Sequence, residues 1–168
     1  MFRVHMGAPI LNPAEIPFTP AETEWPLLRF PLKTYRGELQ VTVTSLGNPH
    51  CSVLVADFET VDWRRLGQEI EHNEHFPNRT NVEFVRLVSK DEIAVRFWER
   101  GVGHTRSSGT GSCAATVATI LNGLTDRHVR VTTQAGKLEV AWPEGGEVWL
   151  TGPVEKVMEG TYSYRVTR

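Results

Sequence analysis

The run Ser108-Gly109-Thr110-Gly111-Ser112 leads straight into SCAATVATIL (Ser112–Leu121), a stretch with no charge at all. A helix opening there has free backbone N–H groups in its first turn and presents the positive end of its dipole. Gly109 and Gly111 carry no side chain that would keep a ligand away from that backbone. Such a corner takes an anion, and a carboxylate and a phosphate fit it equally well. A tight turn that needs glycine for conformation alone is the competing reading. A phosphate-binding P-loop is excluded, because no Gly-Lys-Ser/Thr follows.

Three further segments carry polar groups suited to the same kind of ligand. Trp98-Glu99-Arg100-Gly101 ends a strand-like run, and Gly101 and Gly103 keep the connection to the glycine-rich corner tight. An amine fits Glu99 and a carboxylate fits Arg100, although an acid beside a base is equally a surface pair. Gly47-Asn48-Pro49-His50 lies between two strand-like runs, and Thr80-Asn81-Val82-Glu83-Phe84 enters another. An asparagine amide can donate to a carboxylate and accept from an ammonium, but it also serves turns. His72-Asn73-Glu74-His75 brings two histidines near each other without an obvious third strong ligand, so no metal site is assigned. Cys51 and Cys113 form neither a disulfide framework nor a paired motif. They read as reduced, buried thiols of a cytoplasmic protein.

The elements that must position these groups are legible from periodicity. The first 31 residues hold six prolines and read as a strand followed by an irregular, surface-hugging lead-in. Leu39–Ser45 alternates apolar and polar residues and predicts a half-buried strand, with Cys51–Val55 the next. Asp62 can cap a helix whose apolar face is Trp63, Leu66 and Ile70. Val82–Val88 and Ile93–Trp98 flank a turn at Ser89–Glu92; His128–Thr133 and Lys137–Trp142 flank another at Gln134–Gly136. Val148–Thr151 and a last strand near Tyr162–Val166 complete the set. Ser112–Leu121 is apolar on nearly every side, so it is buried on nearly every side, and Asn122-Gly123 ends it. The pattern predicts an α+β fold, with a curled antiparallel sheet or barrel of about eight strands around one central apolar helix and a second helix outside.

A chain of 168 residues, 40% hydrophobic and 23% charged, suits one globular domain over residues 1–168. Its net charge of −2 gives no electrostatic case for nucleic acid or an anionic membrane. No apolar run approaches the roughly 20 residues that span a bilayer, and the N-terminus lacks the features of a signal peptide.

Taken together, Gly47–His50, Phe76–Phe84 (FPNRTNVEF), Trp98–Gly103 (WERGVG) and Gly109–Ala115 (GTGSCAA) resemble the C-terminal half of diaminopimelate epimerase, in that family's order and at its approximate spacing. The resemblance runs from about Val4 to the C-terminus. It implies one half of a two-lobed fold, each lobe a curled β structure around a central helix, with the active site between lobes. It implies a cofactor-independent isomerase of lysine and peptidoglycan precursor biosynthesis, which interconverts LL- and meso-diaminopimelate by two-base proton transfer without pyridoxal phosphate or a metal.

By the same resemblance, Asn48, Asn81 and Arg100 hold the distal amino-acid end of the substrate. Glu99 sits near the α-ammonium, and Gly109 and Thr110 receive the α-carboxylate. His50 and Glu99 influence the acidity of the catalytic pair. The family's second catalytic cysteine falls on Ser108 here, and Cys113, inside the helix, is no substitute. The lobe that supplies the first cysteine is missing, so the isolated chain is expected to be inactive unless that lobe is present; pairing of two copies is the alternative. Two other functions remain open: a related racemase or isomerase with another substrate, and a non-catalytic amino-acid-binding domain.

Overall fold

The alternation of Leu39, Val41 and Val43 with polar neighbours builds a strand that buries its valines on one face and its threonines on the other, and the same logic repeats along the chain. In the computed structural model, which describes residues 1–20 and 24–164, the elements run in this order. They are β1 (Phe2–Gly7), β2 (Phe30–Thr34), β3 (Gly37–Ser45), β4 (Pro49–Leu54), α1 (Trp63–Glu71), β5 (Asn81–Ser89), β6 (Glu92–Glu99), β7 (Gly103–Thr105), α2 (Gly109–Leu121), β8 (His128–Thr132), β9 (Lys137–Ala141) and β10 (Val148–Gly152). The strands form one sheet in the order β1-β10-β9-β8-β6-β5-β4-β3-β2, with β7 paired to β6.

The α+β architecture with two helices is as the sequence predicts, and the sheet adds detail. It has ten strands and its path is open, since β1 and β2 lie at opposite ends. It is mixed: β4 runs parallel to β5, and β6 runs parallel to β8, while the other pairings are antiparallel. Parallel neighbours need a crossover, and α1 lies between β4 and β5 as α2 lies between β6 and β8.

Three local expectations are corrected. The proline-rich lead-in is irregular but not surface-hugging throughout, because Ile16, Phe18 and Leu27 are buried in the core beside α1. Its end forms β2, an edge strand, where Pro31 is tolerated because an edge leaves one side of the ladder unpaired. No strand forms at residues 162–164: Tyr162 and Tyr164 are exposed, and β1 takes the place beside β10 that a returning strand would occupy. The remainder of that expected strand, including Val166, lies outside the described residues.

Each face of the sheet carries its own core. Trp63, Leu66 and Ile70 of α1 pack with Val41, Val43, Val53, Val82 and Phe84. Cys113, Ala115 and Val117 of α2 pack with Val85, Val95, Phe97, Val129, Val131, Val140 and Val148. α2 is buried from Gly111 to Thr119, and its small side chains let it touch seven strands. Thr116 and Thr119 bond to carbonyls one turn back, which satisfies hydroxyls that have no water to meet. Asn122 closes the helix by donating to Ala118 O (2.8 Å) and Thr42 Oγ1 (2.9 Å). No helix among the described residues is long and apolar enough to cross a membrane.

Candidate active site

Sheet topology gathers the polar segments at one end. β4 and β5 are parallel, so their N-terminal ends coincide and His50 lies opposite Asn81. β6 is antiparallel to β5, so its C-terminal end joins them, with Trp98 opposite Val82 and Phe97 opposite Glu83. Gly101 and Gly103, at φ of 75° and 90°, turn the chain back into β7, a conformation that favours glycine. The first turn of α2 then settles on this end. A Cβ on Gly111 would lie 3.0 Å from Glu83 Oε1 and 3.0 Å from the Phe97 ring, so only glycine admits this approach unstrained.

Ser108 is the N-cap of α2, its Oγ accepting from Gly111 N at 3.3 Å. The N–H groups of Gly109 and Thr110 have no partner among the described residues, which leaves two donors open at the helix start. Glu99, half-buried, accepts from Thr105 Oγ1. Arg100 is exposed and donates from Nη1 to Asn78 O at 3.1 Å. Asn81 is buried, and both ends of its amide are bonded: Nδ2 donates to Pro49 O (2.9 Å) and Oδ1 accepts from Arg100 N (3.0 Å). It ties the ends of β4, β5 and β6 together. Asn48 Oδ1 meets His50 Nε2 at 3.0 Å, and His50 Nδ1 meets Glu83 Oε1 at 2.7 Å, with both His50 and Glu83 buried.

The structure therefore gathers two bonded sets at this end, Asn48 with His50 and Glu83, and Asn81 with the Pro49 carbonyl and the Arg100 backbone. Ser108, Gly109 and Thr110 stand beside it at the helix start. The two cysteines are free and buried, as the sequence suggests. Burial pushes the Cys113 thiol up to about 12. Cys51 is pushed up as well, by burial first and by the nearby Glu83 carboxyl second. Neither supplies a thiolate at neutral pH. His72 and His75 do not converge, since His72 Nδ1 faces Gln68 O at 2.9 Å and His75 stacks on Phe18. Among the described residues no group of three or more His, Cys, Asp or Glu could hold a metal ion.

Two buried acids beside these residues were not singled out from the sequence. Glu83 sits on the face of β5 shared with Val85 and directed at α2; an acid in register with inward valines is the signal. Burial raises its pKa above the usual carboxylate range, and the Glu99 charge adds to this, while His50 opposes it. Glu71 continues the buried stripe of α1 (Trp63, Leu66, Gly67, Ile70), which is again a periodic position. It accepts from Trp98 Nε1 and Gly101 N, both at 2.8 Å, and so holds the turn that carries Glu99 and Arg100.

Comparison with known proteins gives this site a context. A family model described as diaminopimelate epimerase matches residues 42–159. The chain is 45% identical over 165 residues to the diaminopimelate epimerase of Pelotomaculum thermopropionicum, covering 98% of this chain and 58% of that protein. It is 42% identical over 160 residues to the diaminopimelate epimerase of Leptospira biflexa, covering 95% of this chain and 57% of that protein. The chain thus spans less than two thirds of the length of these relatives. Among solved structures it resembles a probable proline racemase from Agrobacterium radiobacter (TM-score 0.55, 14% identity, 89% of this chain and 49% of that one). It also resembles a hydroxyproline epimerase from Agrobacterium vitis (TM-score 0.51, 15% identity, 74% of this chain and 45% of that one). At such identities the two structures speak for the fold alone.

Proposed function

The chain belongs to the diaminopimelate epimerase family, and on that premise we propose that it forms one wall of an amino-acid epimerase site. The observation that carries this reading is the convergence, at one end of the sheet, of the unpartnered Gly109 and Thr110 N–H groups with Glu99, Arg100 and Asn48. An amino acid with a second amino-acid end matches that set. Its α-carboxylate sits on the helix start, its α-ammonium faces Glu99, and its distal end meets Arg100 and Asn48. Asn81 contributes by fixing the backbone from which the Arg100 guanidinium reaches.

The reaction is interconversion of LL- and meso-diaminopimelate. One base takes the α-proton, and an acid on the opposite face returns a proton to the carbanion. On this reading Ser108 occupies one of the two positions, and a lobe outside this chain supplies the other. A serine hydroxyl is not ionised near pH 7 without a strong adjacent base, whereas an ordinary thiol is a few per cent thiolate. The Ser108 Oγ is already engaged as the cap of α2, and the buried Cys113 cannot replace it. Epimerisation is therefore strongly slowed.

The test is α-proton exchange in the full-length parent with Ser108 and with Ser108→Cys. The substitution should raise the rate by roughly a hundredfold or more, the scale of a positioned acid–base group. Equal rates would sink the proposed role of Ser108. The 168-residue chain alone should show no turnover. Ser108 also favours a second reading, amino-acid binding without catalysis; ligand binding in the full-length parent with no solvent deuterium entering the α-position would select it.

A further inference from the structure

We propose that Glu83 is the positioning residue of His50: through a proton shared with Nδ1 it keeps the Nε2 hydrogen of the ring pointed at Asn48 and the site end of the sheet. The geometry starts from register. His50 lies opposite Asn81, and Glu83, two positions further on, projects from the same face of β5. Its Oε1 stands 2.7 Å from Nδ1. On the other side of the ring, Nε2 stands 3.0 Å from Asn48 Oδ1, an oxygen that can only accept. Nε2 therefore carries a hydrogen. Nδ1 is then either bare, with a protonated Glu83 donating to it, or protonated, with a Glu83 carboxylate accepting. Both forms are neutral as a pair, differ by one proton moved between Oε1 and Nδ1, and leave Nε2–H unchanged.

The surroundings favour the form in which Glu83 keeps the proton. Both side chains are buried, and Glu83 Oε2 has no partner among the described residues, a costly position for a carboxylate oxygen. From β6 the Glu99 carboxylate lies close to Glu83 and brings no positive charge, and from β4 the Cys51 thiol, near it but on the opposite, α1 face of the sheet, brings none either. From the other side α2 brings none, since its sequence is uncharged. Gly111 leaves room for the carboxyl under the helix, since a Cβ there would lie 3.0 Å from Glu83 Oε1. If His50 gives up the Nε2 proton toward the site, the shared proton passes from Oε1 to Nδ1. The ring stays neutral and the negative charge rests on Glu83.

The geometric part of this inference stands by itself; its bearing on catalysis rests on the epimerase reading. The experiment is nitrogen-15 NMR of the histidine side chains in the 168-residue chain over a pH titration. The exposed rings of His72, His104 and His128 serve as internal reference signals. His50 should show a protonated Nε2 throughout the series. Glu83→Gln should keep that pattern, because its amide can still donate to Nδ1, whereas Glu83→Leu should release the ring to exchange between tautomers. A bare Nε2 in the unsubstituted chain, or identical spectra for Glu83→Leu and the unsubstituted chain, would overturn the inference. Should Glu83→Leu fail to fold, the other two spectra decide. The spectra need no substrate, so their failure leaves the epimerase reading standing. A pinned ring in a parent that exchanges no α-proton would remove that reading alone.

Discussion

Two buried glutamates lie on opposite faces of the same sheet and are handled in opposite ways. Glu71, beside Trp98 on the α1 face, has donors at both oxygens: Trp98 Nε1 and Gly101 N, with the Arg79 guanidinium at 3.7 Å. Glu83, on the α2 face, has one partner and one orphan oxygen. A buried carboxyl ringed by fixed N–H donors is architecture, because removing it strands those donors. A buried carboxyl short of donors holds a proton instead, and a group that holds a proton can give it up. The first braces the turn that carries Glu99 and Arg100; the second lies under the helix start and touches the imidazole.

The largest expected effect separates the two by stability. Glu71→Ala leaves the part-buried Trp98 and Gly101 N–H groups without their acceptor and should cost about 2 kcal/mol. Glu83→Leu removes an orphan oxygen while leaving His50 Nδ1 unpaired, so it should change stability by no more than about 1 kcal/mol. Urea unfolding with an unchanged slope measures both. Equal losses would mean that Glu83 is a brace like Glu71, and the contrast would vanish.

Glycines sharpen the same contrast at a smaller scale. An alanine Cβ at Gly67 would lie 2.7 Å from Trp98 Cβ and Cγ, closer than real contacts allow, on the Glu71 side. At Gly111 the nearest atoms, Glu83 Oε1 and the Phe97 ring, stand at 3.0 Å. Overpacking costs about 1–3 kcal/mol, and the helix propensity of alanine returns up to about 1 kcal/mol. Gly67→Ala should therefore lower the melting temperature more than Gly111→Ala does. The reverse order would show that the helix start is the stiffer of the two regions.

How much of this is legible without coordinates follows from what periodicity can see. α2 announces itself because an uncharged decapeptide between glycines has only the interior to go to. The site segments are recognisable because local chemistry, glycine and asparagine at turns, marks them. The parallel joints are not visible, since Cys51–Val55 and Val82–Val88 read alike in either direction and only the crossover around α1 decides. β2 and β7 were missed because one contains Pro31 and the other is only three residues long. Asn81 looked like a free amide; its two backbone bonds depend on Pro49 and Arg100, which come near only when β4 and β6 flank β5. Glu83 and Glu71 sat at the right periods all along, and a rule that flags acids on apolar stripes would have found both.

The smallest effect extends the contrast from carboxyls to a thiol. Cys113, on α2, is held at about 12 by burial against an ordinary value of 9.0. A folded pKa above the unfolded one means that the folded chain keeps a proton which the unfolded chain releases. The thiol's contribution is thus complete below pH 9 and is lost as pH rises from 9 toward 12. In that window it adds a downward slope of at most about 1.4 kcal/mol per pH unit. Cys113→Ala removes the group, so its stability should fall less steeply than that of the unsubstituted chain between about pH 8 and about pH 10. The raised Cys51 thiol and other alkaline groups titrate in both proteins and cancel in the difference. Parallel curves would mean that the α2 face opens to solvent before it must give up a proton. In that case the shared proton of Glu83 and His50, under the same helix, would also exchange with water on the unfolding-independent timescale, and the helix start would be less closed than its burial indicates.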